Sequence, residues 1–221
     1  MRVLLAVLWK DLVTEWLSRD RVIAMLLFSL LVVVVFHFAL PEGTGREIQS
    51  NAPGLLWVAY IFAAIIGLNR AFALELENDA LSGLALAPVD RGWVFLCKAL
   101  ANFALIGLVE LATACIFALV FDLDLLSRAP ALAVVVALGT AGICAVGTLF
   151  SAMSVRTRFR EVLLPILLLP ALFPVLAGAV EGTAQVLEVG GLPWSSLRLL
   201  VVVNGIYWIV SFLGFEYILD E

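Results

Sequence analysis

The chain has 221 residues, of which 64% are hydrophobic and 14% are charged, and its formal net charge is −5. Ordinary soluble domains carry about 25% charged residues. One water-soluble core of this size cannot bury this many apolar side chains. The composition therefore predicts an integral membrane protein and excludes a soluble enzyme. The acidic balance offers no basic groove for nucleic acid.

Six apolar segments are long enough to cross a hydrocarbon layer of about 30 Å, which takes about 20 helical residues. In chain order they cover residues 22–40, 55–74, 93–121, 131–155, 162–180 and 199–219. Residues 1–21 precede them and predict an amphipathic helix on the membrane surface, with Leu5, Leu8 and Trp16 on its apolar face. A plain positively charged anchor is the alternative. The sequence predicts one all-α membrane domain over residues 1–221.

The basic residues predict the orientation of these spans. Inner loops of membrane proteins carry an excess of Lys and Arg. Such residues cluster on one predicted side, at Arg2, Lys10, Arg19, Arg21, Arg70, Arg91, Arg156, Arg158 and Arg160. The loops of the other side hold one each, at Arg46, Arg128 and Arg198. Both termini are therefore predicted to lie in the cytoplasm.

Few residues could carry chemistry. His37 is the one histidine, near the outer end of the first span, and a haem or metal ligand there would need partners that the sequence does not supply. The alternative is an ordinary interface histidine. Cys97, Cys115 and Cys144 are isolated, which predicts small apolar packing residues and no metal site. No phosphate-binding loop or protease motif occurs.

Polar side chains occur inside the third and sixth spans. Glu110 lies 17 residues after Trp93, about 25 Å along a helix, so its carboxyl group falls within the hydrocarbon. It should face protein, a partner subunit or a water cavity. A carboxyl group hydrogen-bonded to a neighbouring helix and a place in a translocation path are both open. Asn102 in the same span, with Asn204 and Tyr207 in the sixth, are further candidates for interhelical or pathway contacts.

The remaining spans and loops carry packing and turn signals. Residues 41–54 and 181–196 predict short outer connections. The fourth span has small residues every four positions, at Ala137, Ala141 and Ala145, with Gly139, Gly142 and Gly147 nearby, which predicts close helix packing. The fifth span has prolines at three positions, Pro165, Pro170 and Pro174. Because each removes a backbone donor, a bent or re-entrant segment is predicted there.

The most distinctive segment joins the second and third spans, where residues 75–100 read ELENDALSGLALAPVDRGWVFLCKAL. It resembles the loop after the second span in type-2 ABC exporter permeases. Residues 10–40 and the proline-rich run TRFREVLLPILLLPALFPVLAGAVEGT narrow the resemblance. Together they are similar to the CcmB family of cytochrome c maturation permeases, also called haem exporter protein B. The resemblance covers essentially the full chain.

This resemblance implies a subunit of an ABC complex in the bacterial cytoplasmic membrane. The implied partners are the ABC ATPase of the complex and two membrane subunits, one that handles haem and one that is small. A haem chaperone is an indirect partner. ATP would bind only on the ATPase, and this chain would have no catalytic site. Whether haem itself passes through the chain, and whether two copies pair, stay open.

The resemblance also assigns roles within the loop. The residues that match the element contacting the ATPase are Glu77, Asp79, Gly83, Leu84, Leu86 and Pro88. Gly83 would permit close approach, Leu84 and Leu86 would form an apolar plug, and Pro88 would end the helix. A solvated cytoplasmic turn is the alternative.

Three functions compete. The first is a cytochrome c maturation permease that transmits the motion of its ATPase. The second is a generic type-2 exporter permease for a lipid, drug or other amphiphile, with a path lined by polar residues of the spans. The third is an intramembrane enzyme built on Glu110 and His37. The loop motif and the short loops favour the first.

Overall fold

The computed structural model describes residues 19–39, 45–72, 91–154, 157 and 159–218. Within these ranges the chain is all α-helix with no strand. The helices are α1 (Asp20–Ala39), α2 (Gly45–Arg70), α3 (Arg91–Val120), α4 (Ala129–Ser154), α5 (Arg160–Glu188) and α6 (Trp194–Ile218). All six are long and apolar enough to cross a membrane. The predicted all-α class with six spans is confirmed.

The centre of the bundle consists of α2 and α4. Their most apolar stretches are 67% and 61% buried, against 22–33% for the other four helices. The helix α4 packs against α2, α3, α5 and α6. Its glycines permit this close packing, since the indole of Trp57 lies against Gly139 and the side chain of Leu68 against Gly147.

The predicted close packing of α4 is confirmed, and its glycines contribute more to it than its alanines. Ala145 is buried, but Ala137 is exposed and Ala141 only partly buried, so the alanine repeat does not form the core face. Glycine accepts an aromatic ring directly against its backbone, which an alanine Cβ would prevent, and this turns the glycine face inward. Cys97 and Cys144 are buried, whereas Cys115 is exposed, so its prediction as a packing residue is wrong.

The fifth span is one continuous helix of 29 residues that contains all three prolines. The re-entrant alternative is therefore wrong. Each proline removes a single backbone hydrogen bond, and helices in membranes tolerate this where neighbouring helices pack around them. Such packing is extensive, because Leu164, Leu168, Leu172, Val175 and Ala179 form a fully buried stripe along α5.

Two predicted outer connections are shorter than expected. The helix α2 already begins at Gly45 and contains Pro53, inside the predicted turn region 41–54. Likewise α5 continues to Glu188, and the chain turns through Gly190 and Gly191, both with positive φ, before α6 begins. In these spans, proline and glycine lie inside or after a continuous helix and do not mark the predicted ends.

The predicted surface helix over residues 1–21 falls mostly outside the described residues. Its last residues are described, and they belong to the transmembrane span. Arg19 has φ +51°, a conformation that interrupts a helix, and α1 begins at Asp20. The carbonyl of Arg19 then accepts a hydrogen bond from the backbone N–H of Ile23 at 2.9 Å. The first span therefore begins two residues before its predicted start, and the surface helix over the preceding residues stays a prediction.

A glycine pair tests the packing of α4. We expect Gly139→Ala to lower stability by about 1–3 kcal/mol, because the new Cβ would overlap the indole of Trp57. The matched control is Gly205→Ala, since a Cβ there meets nothing within 4 Å. It should be neutral or stabilising, because alanine favours helix. Thermal unfolding of the purified chain in mild detergent measures both, and equal melting temperatures would contradict the assigned packing.

Candidate functional site

The six loop residues predicted to contact an ATPase lie outside the described residues. They are Glu77, Asp79, Gly83, Leu84, Leu86 and Pro88. The helices on either side of this loop are described, and a cluster of buried polar groups joins the second of them to α1 and α4. That cluster is the part of the candidate site for which the structure describes side-chain contacts.

We call the cluster formed by Arg21, Asn102 and Thr148 the polar layer. The guanidinium of Arg21, at the start of α1, donates to Asn102 Oδ1 on α3 at 2.5 Å. Asn102 Nδ2 in turn donates to Thr148 Oγ1 on α4 at 2.9 Å. All three side chains are buried. Thr148 lies six residues before the end of α4, about 9 Å along the helix, so the layer lies near one membrane face.

The end of α2 is attached to the same region. Ser151 Oγ on α4 donates to the carbonyl oxygen of Leu68 at 2.5 Å. The ammonium of the buried Lys98 on α3 lies 5.3 Å from the ring centroid of Phe72, just after α2. Buried hydrogen bonds thus join α1, α3 and α4, and α2 to α4, next to the loop of residues 73–90. This is the predicted cytoplasmic side.

Glu110 lies deeper in the membrane. It is ten residues before the end of α3, about 15 Å, which places it near the middle of a hydrocarbon layer of about 30 Å. Its side chain is 1% exposed. Thr140 Oγ1 on α4 lies 2.5 Å from Glu110 Oε2 and 2.8 Å from the carbonyl oxygen of Val136. Glu110 therefore joins α3 to α4.

The two predicted site residues of α6, Asn204 and Tyr207, contact other helices through their side chains. Asn204 Nδ2 donates to the carbonyl oxygen of Leu138 on α4 at 2.9 Å and to that of Leu200 at 2.8 Å. The hydroxyl of Tyr207 donates to the carbonyl oxygen of Ala171 on α5. The residue before Ala171 is Pro170. The carbonyl oxygen of Pro170 has no helical donor, because Pro174, four residues later, has no N–H.

The structure does not bring the four predicted polar residues together. Asn102, Glu110, Asn204 and Tyr207 each bond to a different partner, and no hydrogen bond joins any two of them. Of the four, Glu110 lines a cavity between α2, α3 and α4. Their assignment to a translocation path stays a prediction.

His37 lies near the outer end of α1, where its ring packs edge-to-face with those of Phe38 and Phe121, at centroid distances of 5.5 and 6.0 Å. Phe121 is eleven residues beyond Glu110, about 16 Å along the chain. His37 and Glu110 are therefore at different depths, which removes the geometry that an intramembrane enzyme built on both would need. Over the described ranges, no three His, Cys, Asp or Glu side chains are grouped for a metal ion.

The sequence missed three members of these contacts. From the sequence, Arg21 is a residue of the predicted surface helix and a sign of orientation, and Thr140 and Thr148 are residues of an apolar span. A threonine in a span can donate a hydrogen bond to a carbonyl oxygen of its own helix, so its presence does not predict a contact with another helix. Spacing alone offers a signal for Thr140, since it shares a helix face with the small residues Ala133 and Ala137.

Comparison with known proteins decides the family. The model of the CcmB protein family matches residues 2–213. The chain belongs to the CcmB family. It is 35% identical to the heme exporter protein B of Rhodobacter capsulatus over 179 residues, covering 75% of this chain and 79% of that one. It is 32% identical to the protein of that name from Paracoccus denitrificans, covering 81% of each.

A third CcmB relative, the heme exporter protein B of Pseudomonas aeruginosa, is 31% identical over 171 residues and 75% of each chain. Membership in the CcmB family and the six apolar helices make this chain a multi-pass membrane protein and a permease subunit of an ABC system. The relatives' names support the first of the three functions considered for the sequence over the generic exporter.

The polar layer can be tested through Asn102. We expect Asn102→Leu to lower stability by about 1–3 kcal/mol, because it removes the amide between Arg21 and Thr148 while the groups stay buried. The double variant Arg21→Met with Asn102→Leu should recover part of this loss, since both partners become apolar. Unfolding in detergent of wild type, both single variants and the double variant gives the coupling. Strict additivity of the two single effects would refute the contact.

Proposed function

We propose that this chain is the membrane permease subunit of an ABC complex for cytochrome c maturation. In this complex it couples ATP hydrolysis by a separate ATPase subunit to haem export or to release of a haem-loaded chaperone. The observation that carries the proposal is the match of the CcmB family model to residues 2–213. Relatives of similar extent named heme exporter protein B support it.

The proposed partners are those of a maturation complex. They are the ABC ATPase, a membrane subunit that handles haem, another membrane subunit of small size and, indirectly, a haem chaperone. A second copy of the chain would complete the pair of permeases. ATP binds on the ATPase alone, haem is the handled species, and the location is the bacterial cytoplasmic membrane with both termini in the cytoplasm. The excess of Arg and Lys on one side supports this orientation.

In the proposed mechanism the loop of residues 73–90 docks on the ATPase and passes its motion to the bundle. The polar layer supports this role, because it joins α1, α3 and α4 at Asn102, eleven residues after α3 begins. Ser151 holds the end of α2, where the loop begins, against α4. Breaking one such buried contact costs about 1–3 kcal/mol, so a force on the loop moves these helix ends together. The chain itself acts as a transmitter without an ATPase site.

The loop assignment is tested by replacing its apolar plug. We expect Leu84→Asp with Leu86→Asp to abolish co-purification of the ATPase and formation of cytochrome c, because two charges would have to enter an apolar socket. Membrane insertion should be unchanged, since both positions lie between spans. The measurement is pull-down of the tagged chain from native membranes, together with haem staining of c-type cytochromes.

The matched control places the same charges on the opposite connection. Val189→Asp with Leu192→Asp changes two exposed residues of the turn between α5 and α6. This variant should retain the ATPase at the wild-type level. Normal ATPase binding by the Leu84/Leu86 variant would show that the docking element lies elsewhere.

The orientation gives a separate prediction. In a background without Cys97, Cys115 and Cys144, we expect Thr157→Cys to react with a membrane-impermeant maleimide only after the membrane is opened. Ser127→Cys should react in intact spheroplasts. Both positions are exposed and follow spans on opposite sides. The reverse labelling pattern would place the loop of residues 73–90 outside the cell and refute the proposed coupling.

A further inference from the structure

A cavity of about 440 Å³ lies between α2, α3 and α4, and we call it the lateral groove. Two rows of small residues form much of its walls: Gly107, Ala114 and Ala118 on α3, and Ala129, Ala133 and Ala137 on α4. Leu111, Cys115, Ala133 and Ala137 are exposed, so the groove opens toward the lipid. From Phe103 to Ala118 it follows α3 for fifteen residues, about 22 Å.

Glu110 lies at the floor of this groove with one oxygen unused. Thr140 has a single hydroxyl hydrogen but contacts both Glu110 Oε2 and the carbonyl oxygen of Val136. If the hydrogen points to Val136, a protonated Oε2 donates to Thr140; if it points to Glu110, the carboxylate accepts. In both of these arrangements Oε1 is an acceptor, and it presents a donor only in a neutral carboxyl group that carries its proton on Oε1. Among the described residues it has no hydrogen-bond partner, and it is buried.

A buried acceptor in hydrocarbon is costly to leave unpaired, about 1–3 kcal/mol or more when charged. The occupant that suits the groove therefore brings a donor to mid-membrane and is apolar elsewhere. Rows of small residues along two helices let a third helix approach closely, with side chains of the third entering between them. An acyl chain would fill the same length but carries no donor.

We propose that the lateral groove binds a transmembrane helix of a different polypeptide, which donates a hydrogen bond to Glu110 Oε1. Serine, threonine, asparagine, glutamine or tryptophan at the middle of that helix would supply the donor. The inference rests on the proposed function in one respect, namely that the chain works in a complex of several membrane subunits.

A second copy of this chain fits the groove less well. On the described helices, the exposed side chains away from the ends are apolar, such as Leu27 on α1, Ile166 on α5 and Ile209 on α6. Exposed donors such as His37, Asn51, Trp194, Arg198 and Tyr217 lie near helix ends. Trp208 on α6 is partly exposed, but its ring packs on Phe95, fifteen residues or about 22 Å before Glu110 along α3. Over the described surface, a second copy therefore has no fully exposed polar donor at the depth of Glu110.

Photocrosslinking in native membranes tests this inference. Benzoylphenylalanine replaces Leu111 or Ala133, both exposed in the groove, in full-length chain expressed with its genomic neighbours. The control is Val202 on α6, which is 61% exposed against 65% for Leu111 and faces away from the groove. We expect both groove positions to crosslink an apolar segment of a different membrane polypeptide, located by peptide mass spectrometry. The yield at Val202 should be at least tenfold lower.

Substitution of Glu110 separates a specific contact from proximity. With the probe at Leu111, Glu110→Leu should reduce the crosslink at least fivefold, because the acceptor is lost. Glu110→Gln should stay within twofold of wild type, because its amide oxygen still accepts. Elution from a sizing column at the wild-type position shows that each variant is folded. An unchanged yield in folded Glu110→Leu would refute the role of Glu110.

Other crosslink products also decide the matter. Lipid adducts alone at Leu111 and Ala133 would identify an amphiphile site and overturn the inference, as would adducts joining two differently tagged copies of this chain. The result is separable from that of the loop variant. If the wild-type chain did not co-purify an ATPase, the proposed function would be contradicted. A helix crosslinked in the groove would still identify a membrane partner in that case.

Discussion

The contacts of Trp57 determine how the rest of the bundle is arranged. Its ring lies against the backbone of Gly139 on α4, and its Nε1 donates to Thr183 Oγ1 on α5 at 2.9 Å. Thr183 in turn donates to the carbonyl oxygen of Ala179. One buried side chain of α2 thus fixes both the rotation of α4 and the position of α5. Lipid provides no hydrogen-bond partner for an indole, so few other arrangements satisfy it.

Once α2 and α4 are in position, the polar side chains of α3 can reach few hydrogen-bond partners. Without a hydrophobic force between helices in lipid, close packing and interhelical hydrogen bonds decide which faces meet. Asn102 meets Thr148, and Glu110 meets Thr140, eight residues apart on both helices. This equal spacing on two antiparallel helices shows that one register satisfies both pairs. The hydrogen bonds therefore select the register in addition to stabilising it.

The sequence predicted the number and class of the spans because their length follows from the thickness of the membrane. It predicted the burial of Glu110 because a carboxyl group cannot face hydrocarbon alone. It could not predict Thr140 as the partner, since that depends on the rotation of α4, which Gly139 and Trp57 determine. The ends of α2 and α5 were missed because proline and glycine mark turns in water more reliably than in lipid. The loop matched to ATPase-contacting elements stays a prediction from resemblance.

Asn102 and Glu110 lie on the same helix, eight residues or about 12 Å apart. The first belongs to the polar layer next to the loop of residues 73–90, and the second to the floor of the lateral groove. A partner helix in the groove and an ATPase on the loop would therefore act on one rigid element. If the position of α3 depends on nucleotide, the energy that links the two sites must be reciprocal. Occupancy of the groove would then change the affinity for the ATPase by the same factor by which the ATPase changes occupancy of the groove.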